Sequence, residues 1–164
     1  MANPLVAIVG RPNVGKSTLF NKIAGRKISI TENRPGVTRD RLYADAVWRG
    51  KRFTVVDTGG IELKSTDTMW REILRQADAA IDVAQVIIWM VDGKEELTAS
   101  DKDVAEKMRR CRKPVILCVN KIDNFSQDKL FEYYSLGLGE PFAVSAEHSQ
   151  GVGDLLDEVV SYFE

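Results

Sequence analysis

Four short apolar runs constrain this chain more than any other feature. Leu5–Val9, Phe53–Val56, Val86–Val91 and Val115–Val119 are nearly unbroken stretches of hydrophobic side chains. A strand with one wet face alternates, whereas a strand apolar on both faces belongs to a parallel sheet covered by helices. Between the runs lie helical patterns at Ser17–Ala24, Trp70–Ile81, Ser100–Arg112, Gln127–Tyr134 and Val152–Phe163. The last sets Val152, Leu155, Leu156, Val159, Val160 and Phe163 on one stripe. Arg41–Trp48 alternates instead, and Arg49-Gly50-Lys51 turns it into the Phe53 run, a β-hairpin. With Phe142-Ala143-Val144 as a further strand, the order is β-α-β-β-α-β-α-β-α-β-α. The expected fold is α/β: a mostly parallel six-stranded sheet with one antiparallel edge hairpin and helices on both faces.

A chain of 164 residues fits one domain. At this size folding buries roughly 70% of the unfolded surface, so neither disulfides nor a structural metal are needed. Lys plus Arg (23) balances Asp plus Glu (24), and the pI is about 5.9. That balance is unlike the basic face of a non-specific nucleic-acid binder. Cys111 and Cys118 stand in no metal-ligand spacing. The sequence shows no basic segment leading into a secretory apolar stretch, no run near the roughly 20 residues of a membrane span, and no lipidation signal. The expected location is cytoplasmic, without membrane association.

Directly after the first apolar run, Gly10-Arg11-Pro12-Asn13-Val14-Gly15-Lys16-Ser17-Thr18 carries the pattern G-x-x-x-x-G-K-[ST]. Strand before and helix after are the context that a phosphate-binding loop requires. Gly10 and Gly15 allow backbone conformations closed to other residues, so that successive N–H groups can face a phosphate. The helix starting near Lys16 adds its positive dipole end. Lys16 brings a charge to the β/γ oxygens, and the Ser17 hydroxyl can ligate Mg²⁺. This loop alone does not separate GTPases from ATPases or small-molecule kinases.

Asn120-Lys121-Ile122-Asp123 follows the Val115–Val119 run, at the strand end where ligands bind in doubly wound sheets. The Asp123 carboxylate can accept from N1–H and the 2-amino group of guanine. Adenine lacks both, and such a site rejects the lacking analogue by about 10⁴-fold. The Lys121 stem can pack along the base, and the Asn120 amide can tie loops together. Asp57-Thr58-Gly59-Gly60 ends the Phe53 strand, where Asp57 can hold the Mg²⁺ shell opposite Ser17. The Gly60 N–H can meet a γ-phosphate, and Thr38 is a candidate second Mg²⁺ ligand. The backbone of Ser145-Ala146-Glu147 can meet the guanine O6. Arg26 to Asp40 and Gly59 to about Thr68 read as switch loops that order with GTP and loosen with GDP. His148 is expected in a polar loop role, and Trp48, Trp70 and Trp89 in packing.

Taken in order, GRPNVGKS, Thr38, DTGG, NKID and SAE resemble the five G motifs of translation-factor-class P-loop GTPases. More narrowly the chain resembles the Der (EngA) family of ribosome-assembly GTPases, through Lys27-Ile28-Ser29-Ile30, PGVTRD, VDTGGI and Ser135–Pro141 leading into SAEH. The GRPNVGKSTLFNK opening is shared with Era and MnmE. The resemblance implies GTP hydrolysis, GTP/GDP and Mg²⁺ as ligands, and a role in large ribosomal subunit assembly through the full-length protein. Family members continue into a second G domain and a KH-like domain. Residues 1–164 correspond to a single G domain, the first, and the near-neutral charge places nucleic-acid contacts elsewhere.

One position departs from Ras-like GTPases. The residue after D-x-x-G, where a Gln orients the attacking water, is Ile61. Some other group must offset the charge that develops between β- and γ-phosphate. The Asn13 amide oxygen can coordinate an ion against those oxygens, and the Der and MnmE resemblance implies K⁺ there. The catalytic set is then Lys16, Thr38, Gly60 and Asn13. Two other readings compete: a small-molecule kinase, which leaves Asn120–Asp123 unexplained, and a nucleotide-binding interaction module with negligible hydrolysis when isolated.

Overall fold

A computed structural model of the chain describes residues 3–11, 14–24, 29–30, 42–57, 66–94, 97–121 and 127–163, excluding the side chains of 29, 30, 42, 66–72 and 127–130. The strands are β1 (Leu5–Val9), β2 (Ser29–Ile30), β3 (Leu42–Trp48), β4 (Lys51–Asp57), β5 (Val86–Asp92), β6 (Val115–Asn120) and β7 (Phe142–Ala143). The helices are α1 (Lys16–Ala24), α2 (Thr66–Val83), α3 (Ala99–Arg110), α4 (Gln127–Tyr134) and α5 (Val152–Ser161).

The strands form one sheet in the order β2-β3-β4-β1-β5-β6-β7. Pairings from β4 through β7 are parallel, while β2–β3 and β3–β4 are antiparallel. All six expected strands are present, and the two-residue β2 extends the antiparallel edge. The hairpin turns at Arg49 and Gly50, whose φ values of 51° and 79° suit the two-residue turn that matches strand twist.

Period-2 alternation sorts the central strands between two cores. Val6 and Ile8, Ile88 and Met90, and Ile116 and Cys118 pack with Leu19 and Phe20 of α1 and Leu155 and Val159 of α5. Ala7 and Val9, Ile87 and Trp89, and Leu117 and Val119 pack with Ile73 and Ala77 of α2, Val104 and Met108 of α3, and Tyr133 of α4. Helices therefore cover both faces, as the apolar runs require. Burial also pushes the Cys118 thiol far up, out of the reactive range.

Helix ends differ from the sequence reading by a few residues. α3 starts at Ala99, because Thr98 and Asp101 close a reciprocal capping box, and stops at Arg110, because Cys111 is extended. α5 ends at Ser161, short of Phe163, yet the Phe163 ring still packs 5.6 Å from Phe53. α2 outruns the Trp70–Ile81 pattern at both ends. Its first turn takes in Thr66, Asp67 and Thr68, assigned above to a switch loop, and Ser29–Ile30 of the other switch segment form β2. The rest of those two segments lies outside the described residues.

Candidate functional site

The site lies at the carboxyl end of the parallel strands, where β1 has β4 on one side and β5 on the other. Chain leaving β1 feeds α1, and chain leaving β4 feeds α2 on the opposite face, so a crevice opens above β1. The phosphate loop fills its near end. Gly15 has φ +104°, and a Cβ there would run into the Asn120 amide. Gly10 is required for another reason than the one expected. Its φ is not positive, but a Cβ would stand 2.6 Å from the Met90 carbonyl oxygen, so the residue is small to let β1 and β5 approach.

Lys16 opens α1 and is buried, 4% exposed. Its Nζ donates to Gln76 Oε1 at 3.3 Å and lies 3.8 Å from Asp57 Oδ1. Asp57, at the end of β4, is likewise buried. Ser17 and Thr18 in the first turn of α1 are exposed. A hydroxyl and a carboxylate are oxygen donors of the kind Mg²⁺ prefers, and its shell is commonly completed by water and substrate phosphates. The described residues contain no cluster of three or more His, Cys, Asp or Glu that could hold a metal ion.

The far end of the crevice is built on β6. Asn120 Nδ2 donates to the Val14 carbonyl at 2.7 Å, and Asn120 Oδ1 accepts from the Ala146 N–H at 2.9 Å. One buried amide thus joins the phosphate loop to the Ser145-Ala146-Glu147 loop, as its motif suggested. Ser145 closes that loop by exchanging backbone hydrogen bonds with Gln150. Lys121 adopts φ 67° and donates from Nζ to Asp92 Oδ2 at 2.9 Å. Burial works to raise the Asp92 carboxyl, but hydrogen bonds from Lys121 and the Lys94 N–H, with the Lys121 and Arg11 charges, hold it below the usual carboxylate range. Between the two ends lies a cleft of about 440 Å³, bounded by Gly15 and Thr18 on one side and Lys94, Asn120, Lys121, Ser145 and Glu147 on the other. That volume falls within the range of small-molecule sites.

Gly10, Arg11, Val14, Gly15, Lys16, Ser17, Thr18, Asp57, Asn120, Lys121, Ser145, Ala146 and Glu147 are therefore gathered at one end of the sheet. Pro12, Asn13, Thr38, Gly60, Ile61 and Asp123 lie outside the described residues. His148 is exposed, Trp89 is buried, and the Trp48 indole donates to Asp157 at 2.8 Å, tying the hairpin to α5. The side chain of Trp70 is not among those described. Sequence reading missed Asp92 and Gln76. Asp92 carried a usable signal, a carboxylate at the crevice end of a buried strand; Gln76 carried only its polarity on an apolar stripe.

A family model described as "50S ribosome-binding GTPase" matches residues 5–121. The chain belongs to that family. Within it, the chain is 55% identical over 164 residues to the GTPase Der of Clostridium perfringens, covering 99% of this chain and 37% of that protein. It spans little more than a third of the length of such relatives. Among solved structures it resembles an Era variant from Aquifex aeolicus bound to GDP·AlF4⁻, with TM-score 0.74, 30% identity, and coverage of 100% of this chain and 58% of that one. It also resembles Era in complex with MgGDPNP and nucleotides 1506–1542 of 16S ribosomal RNA, with TM-score 0.71, 29% identity, and coverage of 99% and 57%. The fold is that of a P-loop GTPase. Among the described residues, no helix is long and apolar enough to cross a membrane.

Proposed function

We propose that this chain is a GTP-binding and GTP-hydrolysing switch domain, working in the cytoplasm as the first G domain of a longer protein that assembles the large ribosomal subunit. The observation that carries the reading is the Asn120 brace. It fixes the phosphate loop and the base-side loop against one another across a cleft of nucleotide size. The likeness to Era in complex with MgGDPNP supports a guanine nucleotide as ligand.

In this reading Asp123 takes the guanine N1–H and 2-amino group, and the backbone of residues 145–147 faces O6. Lys16 meets the β/γ oxygens. Water attacks the γ-phosphorus, the bond to the β–γ bridging oxygen breaks, and GDP retains that electron pair. Lys16 and the phosphate-loop N–H groups stabilise the charge that develops there. Ser17, Thr38 and Asp57 would hold Mg²⁺, which neutralises phosphate charge when bound.

Thermal shift with GTP, GDP and ATP tests the reading, together with single-turnover hydrolysis. A ligand at 100 times its Kd stabilises by about 2.7 kcal/mol. GTP and GDP should each raise Tm and ATP should not. Asp123→Asn should lose the GTP shift and gain one with xanthosine triphosphate, whose O2 suits an amide donor. Equal stabilisation by ATP would overturn guanine recognition. Absent hydrolysis with intact binding would reduce the domain to an interaction module.

A further inference from the structure

The even overall charge hides an uneven distribution. Residues 107–113 read Lys-Met-Arg-Arg-Cys-Arg-Lys, five cations in seven residues with no carboxylate among them. They span the last turn of α3 and the turn into β6. That is the amino end of a parallel strand, so the cluster lies at the far end of the sheet from the cleft. Two of its cations are paired: Lys107 with Asp78 at 2.5 Å and Arg110 with Glu106 at 2.7 Å. Arg112 is exposed, Lys113 is half-buried, and neither has an ion-pair partner among the described residues. Arg109 reaches toward the end of α4. Its Nη1 donates to the Leu136 carbonyl at 2.5 Å, and its Cδ lies 2.8 Å from where a Cβ on Gly137 would stand. The Gly137 N–H in turn donates to the Tyr134 carbonyl at 3.1 Å. Arg109 thereby joins the basic cluster to a second feature, two aromatic side chains in water. Phe131 is 75% exposed and Tyr134 49%, with ring centroids 6.3 Å apart and planes tilted by 53°. The buried side of this segment is supplied by Tyr133 and Leu136, so the two rings are not core.

We propose that the ends of α3 and α4 form a docking surface for single-stranded RNA, with Arg109, Arg112 and Lys113 along the phosphates and Phe131 and Tyr134 under the bases. The choice of RNA rests on the ribosome-assembly reading above; the chemistry of the surface selects a single strand among polyanions. Guanidinium groups are always charged and fit phosphate oxygens as forks. The unstacked bases of a single strand stack on aromatic faces whatever their sequence, whereas a paired helix keeps its bases to itself and leaves the rings unused. An acidic peptide would answer the cations but offer the rings no flat faces. An anionic bilayer presents charge everywhere, and would set it against Glu132, which is exposed between the two aromatic residues. A strand carries phosphates on one side and bases on the other, matching the division between a basic α3 end and an aromatic α4. Because this surface and the cleft lie at opposite ends of the sheet, RNA and GTP can be held together.

The experiment titrates a fluorescein-labelled single-stranded RNA of about 12 nucleotides with the purified chain and reads anisotropy. It is run from about 50 mM to about 200 mM KCl, with the GTP thermal shift measured on the same samples. The parent chain should bind with Kd between about 1 and 100 µM, the range of sequence-independent binding. Each phosphate contact on a single strand adds about −0.7 to the slope of log affinity against log salt. Arg112→Gln combined with Lys113→Gln should therefore flatten that slope by about 1.4 and weaken binding about tenfold. Phe131→Ala should weaken it about fivefold, one lost stacked base, and leave the slope unchanged. Every variant should keep the thermal shift with GTP, since none of these residues lines the cleft. A parent chain that leaves the RNA free at about 100 µM in the lowest salt overturns the proposal. So does tighter binding to duplex RNA, to polyglutamate or to phosphatidylserine–phosphatidylcholine vesicles, and so does RNA affinity within twofold of the parent in both variants. If Phe131→Ala does not fold, the salt slope of the double variant decides alone. A chain stabilised by GTP that binds no RNA loses this surface only, whereas one that binds RNA and no GTP loses the GTPase reading and keeps the surface.

Discussion

The two ends of the cleft each hold a lysine, and they hold it differently. At the base end Lys121 is paired with Asp92 at 2.9 Å, carboxylate to ammonium. At the phosphate end Lys16 is buried, donates to the Gln76 amide oxygen at 3.3 Å and forms a longer ion pair, at 3.8 Å, with the equally buried Asp57. The difference follows from what each lysine would face. A guanine base carries no net charge, so neutralising Lys121 costs nothing in recognition and fixes its stem. Phosphates carry several charges, so an incoming phosphate competes more readily with the 3.8 Å Lys16–Asp57 pair than it would with a 2.9 Å pair. Asn120 stands between the ends and binds backbone at both, so either lysine is only as well placed as that amide.

The largest disturbance should come from removing the link. Asn120→Ala leaves the Val14 carbonyl and the Ala146 N–H without their partner in a buried setting. Each such loss costs about 1–3 kcal/mol, so chemical denaturation should show about 2–6 kcal/mol of lost stability. Affinity should fall about 100-fold or more for GTP, and for GDP and guanosine as well, because both ends move. If guanosine affinity survives while GTP affinity falls, the brace serves the phosphate end alone and the two ends are independent.

Asn120 was legible in the sequence and Gln76 was not, for a physical reason. Asn120 meets Val14 across 106 residues and Ala146 across 26, but it stands in a short motif directly after a buried strand, and that local pattern made it legible without its partners. Gln76 meets Lys16 and Gly10 across 60 and 66 residues of chain. Only the packing of α2 against β1 brings them together, and an isolated Gln on a helix predicts no such partner. The fold shows the same division. Continuous apolar runs announced the central strands, since burial on both faces leaves no room for polar residues. The two-residue β2 had no pattern to show, because its pairing with Leu42 and Tyr43 is decided by the hairpin. Gly10 taught a further distinction: a required glycine can signal a close carbonyl rather than a special φ.

A smaller effect should sharpen the phosphate end. Ile61 has no hydrogen-bonding group with which to orient water, so a cation added beside the β/γ oxygens should lower the barrier to hydrolysis. Turnover at constant ionic strength should then be about tenfold faster in KCl than in NaCl or choline chloride, and Asn13→Ala should erase the difference. Ile61→Ala should change turnover far less than Lys16→Ala. Equal rates in all three salts would remove the monovalent ion and leave Lys16 to act with Mg²⁺ alone.

The smallest expected effect is at the base end and depends on pH. Asp92→Asn keeps the shape and an acceptor but removes the charge that holds Lys121. That lysine side chain is 36% exposed, so solvent screens the pair and its loss should cost only about 0.5–1 kcal/mol. The Asp92 carboxyl is held below its usual value in the folded chain. A lowered carboxyl stabilises the fold fully above the unfolded pKa, about 4, and loses that contribution as pH falls through the lower folded value. The stability gap between the parent chain and Asp92→Asn should therefore be constant from about pH 5 to pH 7 and close below about pH 4. Guanosine affinity should fall only a few-fold at pH 7, with the preference for GTP over guanosine unchanged, since Lys121 is already neutralised by its partner. Were Asp92→Asn instead to raise the affinity for GTP selectively, the freed ammonium would be reaching phosphate, and the separation of roles between the two lysines would be wrong.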